Sequence, residues 1–437
     1  MSSANNSPLS HADGALLNRL PNRWDVVRLK FAVRVRSVKR NVVPEDRYIG
    51  LEHVESWTGR LQNSEDSSAN TEGLGVVFEA GDVLFGKLRP YLAKVFLADR
   101  PGIASTEFLA LQGVRVEAGF LRYCLVSEPF IGAVVAATYG AKMPRANWED
   151  IGNLPQVVPP RQEQRAIADF LDRETAKIDA LIAAQERLIS LLDEKRQATI
   201  THAVTKGLDP DAPMKESGDR FVGEIPEHWG LIALRHLLSH PLAYGANEAG
   251  DQSDRDDPRF VRITDISSDG SLRYETFRSL PMEIAKPFLL RDGDLLLARS
   301  GATVGKSFIY DQSWGQCCFA GYLIRARCNS ALLASRLLHF FLASSAYWNW
   351  VNSNLIQATI QNISADRYAG LKVPVPPRGE QGAIIRHLDH VLPKIDHLRN
   401  RSETVIEHLR ERRTALITAA VIGQIDVTNP AITEAAE

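Results

Sequence analysis

Leu171, Ile178, Leu181, Leu188 and Leu192 recur at spacings of seven, three, seven and four, and Leu388, Ile395, Leu398, Val405 and Leu409 keep the same phase 217 positions later. Near-heptad spacing of apolar residues is the pattern of a long helix packed on another long helix. These residues are therefore the expected seam of a helix pair. Gln185 and Ser402, then Lys195 and Arg412, interrupt it at matching places; a polar seam residue costs stability and fixes register and partner choice. Pro393 stands where the first stretch has Ala176. A proline inside a helix removes a hydrogen bond and clashes with the preceding turn, which predicts a kink or a restart there. The plainer alternative is two ordinary amphipathic helices on separate cores.

The two stretches are copies. Residues 159–204 and 376–421 share 23 identities over 46 positions without a gap, beginning with Pro-Pro-Arg-x-Glu-Gln in both. Fainter matches lie ahead of each: Leu20-Pro21 with Trp24 against Ile225-Pro226 with Trp229, Arg47 to Val54 against Arg259 to Ile266, and Gly81 to Phe85 against Gly293 to Leu297. Two copies are too few for a solenoid, so the chain reads as a tandem duplication with pseudo-twofold symmetry. Short apolar runs such as Val76-Val77-Phe78 and Val83-Leu84-Phe85 predict strands, and 331–350 predicts helix, giving mixed α/β (α+β) domains. The expected division is a disordered start (1–19), a first variable domain (20–158), a helical spacer (159–207), a second variable domain (208–375), a second spacer (376–426) and a tail (427–437). A constant scaffold with divergent heads suits recognition of two unlike things at a fixed separation.

Composition narrows the class without deciding it. With 44% apolar and 24% charged residues the chain is an ordinary folded protein, with no apolar run of membrane-spanning length. The polar start lacks a signal pattern, which predicts a cytoplasmic protein. Cys124, Cys317, Cys318 and Cys328 form no C-x-x-C pair and have no histidine at metal-ligand spacing, so they are expected as buried small hydrophobes rather than ligands.

A net charge of −2 is unfavourable for nucleic-acid binding, but local clusters matter more than the total. Arg34, Arg36, Lys39 and Arg40 form one, Lys142 and Arg145 another, and Arg259 and Arg262 lie in the second domain. Lys87 with Arg299 and Lys94 with Lys306 occupy matching positions, and Arg89 lies between Lys87 and Lys94. These are the candidate phosphate contacts, each weighed against a solvated surface charge. Asn247, Gln357, Gln361 and Asn362 are candidates for base edges, weighed against a polar loop.

Catalytic signals are thin. Gly301-Ala302-Thr303-Val304-Gly305-Lys306-Ser307 looks like a phosphate-binding loop, yet three residues separate its glycines where four are needed. There is no Asn-Pro-Pro-aromatic tetrapeptide and no glycine-rich methyl-donor motif. Asp193-Glu194-Lys195 falls in the middle of a predicted helix and reads as scaffold.

The ordered set formed by the two Pro-Pro-Arg-x-Glu-Gln motifs, the Leu-Asp and Lys-Ile-Asp steps after them, Arg47 to Glu52, Lys87 to Tyr91, Gly301 to Lys306 and Asn362-Ile363-Ser364 resembles the specificity (S) subunit of type I restriction-modification systems, from about Leu20 to Asp426. The resemblance implies two target-recognition domains reading the halves of a bipartite DNA site, held apart by two helices that pair as an antiparallel coiled coil. It implies two methyltransferase (M) subunits and the restriction (R) subunits as partners. S-adenosylmethionine, ATP and magnesium would belong to those partners, leaving this chain without a cofactor, a metal or catalysis of its own. Gly379, Gly382 and Pro393 depart from the family pattern. A coiled-coil adaptor that binds only proteins, or a P-loop ATPase, are the competing readings.

Overall fold

The computed structural model describes residues 20–427 apart from 22, 63–72, 141, 251, 268–269 and 357–361. The start (1–19), the tail beyond Val427, and the candidates Gln357 and Gln361 lie outside the described residues. The chain divides into two compact units, Met1–Glu186 with Thr404–Glu437, and Arg187–Glu403.

In the first unit Val33–Val35, Phe108–Gly113, Val83–Gly86 and Val95–Leu97 form an antiparallel sheet in that order. Alternate side chains of a strand leave its two faces, and Val83-Leu84-Phe85 is apolar throughout because both faces are covered. Val83 and Phe85 join the core beneath helices Ala118–Val126 and Glu128–Ala136. Leu84 points the other way, among Ile49, Val76, Phe78 and Phe108. A second sheet orders Lys39–Asn41, Leu74–Phe78, Gly102–Ser105 and Tyr48–Ile49, the last two parallel.

The second unit has a sheet ordered Ala243–Tyr244, Leu323–Ala326, Leu295–Ala298 and Ser307–Ile309. Leu295 and Leu297 enter one core, Leu296 and Ala298 another. Its parallel pair is Arg259–Val261 with Cys317–Phe319. Each unit also ends its domain on an antiparallel strand pair, Asp25–Arg28 with Pro155–Val158 and Gly230–Ala233 with Lys372–Val375.

Two long helices follow those strands, Arg161–Thr205 and Arg378–Val421. The second continues through Pro393 without the restart the sequence suggested. Pro393 and Asp389 are exposed, so the Asp389 carbonyl deprived of its donor lies where water replaces it. In the first unit Arg413 pairs with Asp179 (2.9 Å) and Arg410 with Glu186 (3.3 Å). In the second, Arg399 pairs with Asp193 (3.1 Å) and Arg196 with Asp396 (2.9 Å). Within each unit the partner's number falls as the first helix's rises, so the paired segments run in opposite directions.

The seam differs in detail from the expectation. Leu171, Ile178, Leu192, Leu388 and Ile395 are buried, and Val405 and Leu409 half-buried. Leu181, Leu188 and Leu398, however, are 52%, 41% and 49% exposed. On the first helix Leu171, Thr175, Ile178, Ile182, Gln185, Ile189 and Leu192 are covered in steps of four and three that make a heptad seam, with Glu174 and Asp179 covered beside it. Leu181 and Leu188 stand one residue off it, about 100° around the helix. Lys195 and Arg412 are likewise exposed; Gln381, Ser402 and Arg413 are the buried polar residues of the second helix.

Each unit's core takes the start of one long helix and the end of the other. Ile167, Phe170 and Leu171 meet Ile417, Ala420 and Val421 in the first unit. In the second, Ile384, Leu388 and Leu392 meet Ile200, Ala203 and Val204. No single helix among the described residues is long and apolar enough to cross a membrane; the bent pair Ala118–Val126 and Glu128–Ala136 passes by length and composition, and most of its large apolar residues lie in the core. The four cysteines are free. Burial pushes the thiols of Cys124, Cys317 and Cys318 up to about 12, so they remain neutral apolar groups.

Candidate nucleic-acid interface

The repeated Glu-Gln pair explains how each variable domain is held to its helix. Glu163 accepts the Trp24 indole N–H at 2.9 Å, and Glu380 accepts that of Trp229 at 3.0 Å. Gln164 is fully buried; its Oε1 accepts from the Glu117 amide at 2.6 Å and its Nε2 donates to the carbonyls of Pro159 and Arg115. Gln381 repeats this with the Ala334 amide and the carbonyls of Pro376 and Leu332. In both cases the amide opens a helix, Ala118–Val126 or Ser335–Leu342, whose first N–H groups lack intrahelical partners.

On this frame, one hairpin loop per unit carries a cation. Lys87 follows strand Val83–Gly86; its amide donates to Glu107 O (2.8 Å) and its carbonyl accepts from Ala146 N (3.0 Å). Arg299 follows Leu295–Ala298, and its carbonyl accepts from Ile363 N at 2.9 Å. Both side chains are half-buried, and among the described residues neither has an ion-pair partner. Burial lowers the Lys87 pKa, Glu107 opposing and Arg145 and Lys39 assisting. The Arg299 guanidinium lies 4.7 Å from the ring of Tyr244, with Nε buried and without a hydrogen-bond partner. A partly buried cation left unpaired is costly, which marks both positions as prepared for an anionic or hydrogen-bond-accepting ligand.

Around Lys87 lie exposed Arg89, Tyr91, Tyr139, Lys142 and Met143 in two segments joined by the Leu88–Arg145 bridge and the Arg89 N to Pro144 O bond (2.7 Å). Arg89 and Ala93 both have left-handed backbone, φ 50° and 46°. Around Arg299 lie exposed Tyr322, Asn362, Lys306 and Asn247, with Ser300 bridged to Asn362.

Several candidates are already committed within the protein. Arg36 pairs with Asp82, Arg40 with Asp46, Arg145 with Glu107, and Arg262 with Asp265. Lys94 donates to Leu51 O at 2.6 Å, and Arg259 to Arg273 O while lying over Phe277. Arg34, Lys39, Lys142 and Lys306 are exposed without an ion pair among the described residues. The Gly301–Lys306 segment leads into strand Ser307–Ile309 rather than a helix, and Gly305 O accepts from Tyr347 OH at 2.6 Å. It therefore lacks the helix N-terminus on which a nucleotide loop depends. Sequence reasoning missed Tyr244 and Tyr322, whose isolated positions carry no pattern, and met Tyr91 only as the end of the Lys87 to Tyr91 motif; the Glu–Trp anchors were signalled by repetition, though not their pairing.

Residues 259–408 match the family model "Type I restriction modification DNA specificity domain". The chain is 24% identical to the type I restriction enzyme EcoBI specificity subunit of Escherichia coli over 68% of this chain and 64% of that protein, just under two thirds of its length. It is 22% identical to the MjaVIII specificity subunit of Methanocaldococcus jannaschii over 94% of this chain and 95% of that one. A solved chain from a study of complex assembly and conformational transition in the type I R-M system superposes with a TM-score of 0.73 at 19% identity, covering 93% of this chain and all of that one. The HsdS subunit from Thermoanaerobacter tengcongensis gives 0.50 at 20% identity over 93% of this chain and 98% of its own. Residues 259–408 thus belong to the type I restriction modification DNA specificity domain family, and the chain as a whole is similar to the specificity subunits of type I restriction enzymes.

Proposed function

We propose that this chain is the DNA-specificity subunit of a type I restriction-modification complex, recognising a bipartite site and directing adenine methylation and restriction by partner subunits. The observation that carries the reading is the pair Lys87 and Arg299, unpaired cations at the same place on the same frame, set among exposed residues that mostly differ between the units. Phosphate contacts position a protein on DNA while divergent neighbours discriminate base edges. Domains 20–158 and 208–375 would be the two readers. The helices 159–207 and 376–426 would form an antiparallel coiled coil that sets the gap, the whole being a pseudo-twofold tandem repeat whose opposed readers suit the local symmetry of the duplex.

On this reading the chain is a cytoplasmic, non-catalytic subunit. Its partners are double-stranded DNA, two methyltransferase subunits and restriction subunits. S-adenosylmethionine, ATP and magnesium act on those subunits. Mapping methylated adenines by single-molecule sequencing, with the chain and its methyltransferase expressed together, tests it. The expected result is one bipartite motif, of which exchange of residues 20–158 for a relative's domain changes a single half. A contiguous motif, or none, would overturn the reading.

A further inference from the structure

Among the described residues, the non-glycine positions with positive φ are Trp57 (67°), Arg89 (50°) and Ala93 (46°), and they lie in one run of contacts. The Trp57 amide donates to Ala93 O at 3.2 Å. Ala93 closes the short turn Pro90–Leu92 that Arg89 opens. A side-chain-bearing residue in the left-handed region is strained and persists only where its surroundings over-determine it.

For Trp57 the surroundings come from the long helices. Arg413 donates through Nη1 to Trp57 O at 2.9 Å and through Nε to Asp179 Oδ1 at 2.9 Å. Arg60, three residues beyond Trp57, donates through Nη2 to the other oxygen, Asp179 Oδ2, at 2.8 Å. Asp179 and Arg413 are buried, so both carboxylate oxygens are occupied by arginines away from bulk water. Such a pair, once made, is strongly destabilised by losing one partner.

The second unit has the corresponding pair, Asp396 and Arg196, 217 positions from Asp179 and to Arg413, but both side chains are half-exposed. Among the described residues no further arginine joins it. The bridges Val54–Leu61 and Ile266–Leu272 align Arg60 with Ser271, which cannot extend a guanidinium to the helices.

We infer that Asp179, acting through Arg413 and Arg60, is a positioning residue for the Arg89–Ala93 turn, so that DNA reading by the first unit, and not by the second, depends on this clamp. Asp179 does not touch DNA; it fixes Trp57, which fixes Ala93, which sets the turn presenting Arg89 and Tyr91. The inference rests on the DNA-recognition reading above.

The test uses the full chain complexed with its methyltransferase, acting on plasmids in which each half-site is varied one base at a time. Arg60→Ala and Asp179→Asn should lower methylation roughly fivefold or more, the size of coupling carried by such contacts. The loss should come from weakened discrimination in the half assigned to residues 20–158, the other half keeping its preferences. Arg60→Lys should restore at least part of it, and Asp396→Asn should leave the first half unaltered. Equal loss on both halves, no loss, or no rescue by lysine overturns the clamp. Should Asp179→Asn fail to fold, Arg60→Ala decides alone, since that side chain is 55% exposed and its removal leaves the core intact. A wild-type complex without a bipartite motif would instead remove the DNA-recognition reading and the clamp with it.

Discussion

Replacing Gln164 by leucine should destabilise the first unit far more than its modest change in volume suggests. Gln164 is fully buried and satisfies three backbone groups: the Glu117 amide at 2.6 Å, the Pro159 carbonyl at 2.8 Å and the Arg115 carbonyl at 3.1 Å. Leucine fills the space and strands all three. A buried polar group left unsatisfied costs about 1–3 kcal/mol, and partial relaxation of the carbonyls brings the expected total to roughly 3–5 kcal/mol. For a unit of this size each kcal/mol lowers Tm by about 2–4 °C. The transition of the first unit should therefore fall by roughly 6–20 °C in scanning calorimetry. Gln381→Leu should do the same to the second unit, where Ala334, Pro376 and Leu332 lose their partner. A shift below about 2 °C for either variant would mean that these bonds are replaced on substitution, and the account of the repeated Glu-Gln motif as the fastening of domain to helix would fail.

Three further outcomes are expected. Burial, assisted by Arg336 and Arg196, holds His339 at about 4 against an ordinary 6.5. The unfolded chain takes up this proton below 6.5 while the folded chain refuses it until about 4, so stability is complete above 6.5 and falls by about 3 kcal/mol on acidification through that window. Urea unfolding at a series of pH values should show that slope, and His339→Gln should flatten it; an unchanged profile would contradict the burial argument. Arg299→Ala should weaken DNA binding by the complex and reduce the salt slope of log K by about one if the contact is to phosphate; an unaltered slope with a relaxed base preference would make Arg299 a base reader instead. Seven residues inserted after Ser190 and after Ser402 keep the heptad phase and lengthen the rods by about 10 Å, so mapped methylation sites should show a gap longer by about three base pairs at 3.4 Å each. An unaltered gap would refute the spacer role.

Much of the architecture was legible because repetition and alternation are properties of the chain itself. The offset of 212 placed Val83-Leu84-Phe85 on Leu295-Leu296-Leu297, and both runs are second-from-edge strands of sheets with the same order. The helix phase was less legible. Leu181, Leu188 and Leu398 are as apolar as true seam residues, and spacings of three and seven fit either of two neighbouring stripes; the covered stripe includes Gln185 and Ser402, read as polar interruptions of the seam, and Thr175, which the apolar pattern passed over. Charge was misleading for a related reason. Arg36, Arg40, Arg145 and Arg262 look like a basic surface in sequence, but their acids come from 82, 46, 107 and 265, and three of the four are brought close only by the loops and sheets. The Asp179–Arg413–Arg60 cluster was invisible altogether, since its members lie in three separate stretches of the chain.

Because the core around Leu171 is completed by Ile417, Ala420 and Val421, a ribosome must have synthesised almost the whole chain before the first unit can close. Until then the start of the first long helix is exposed, and a nascent chain stalled in the second half presents an unfinished apolar surface to chaperones and proteases. The second unit, drawn from the uninterrupted stretch 187–403, is free to close earlier, which reverses the usual amino-terminal-first order of maturation.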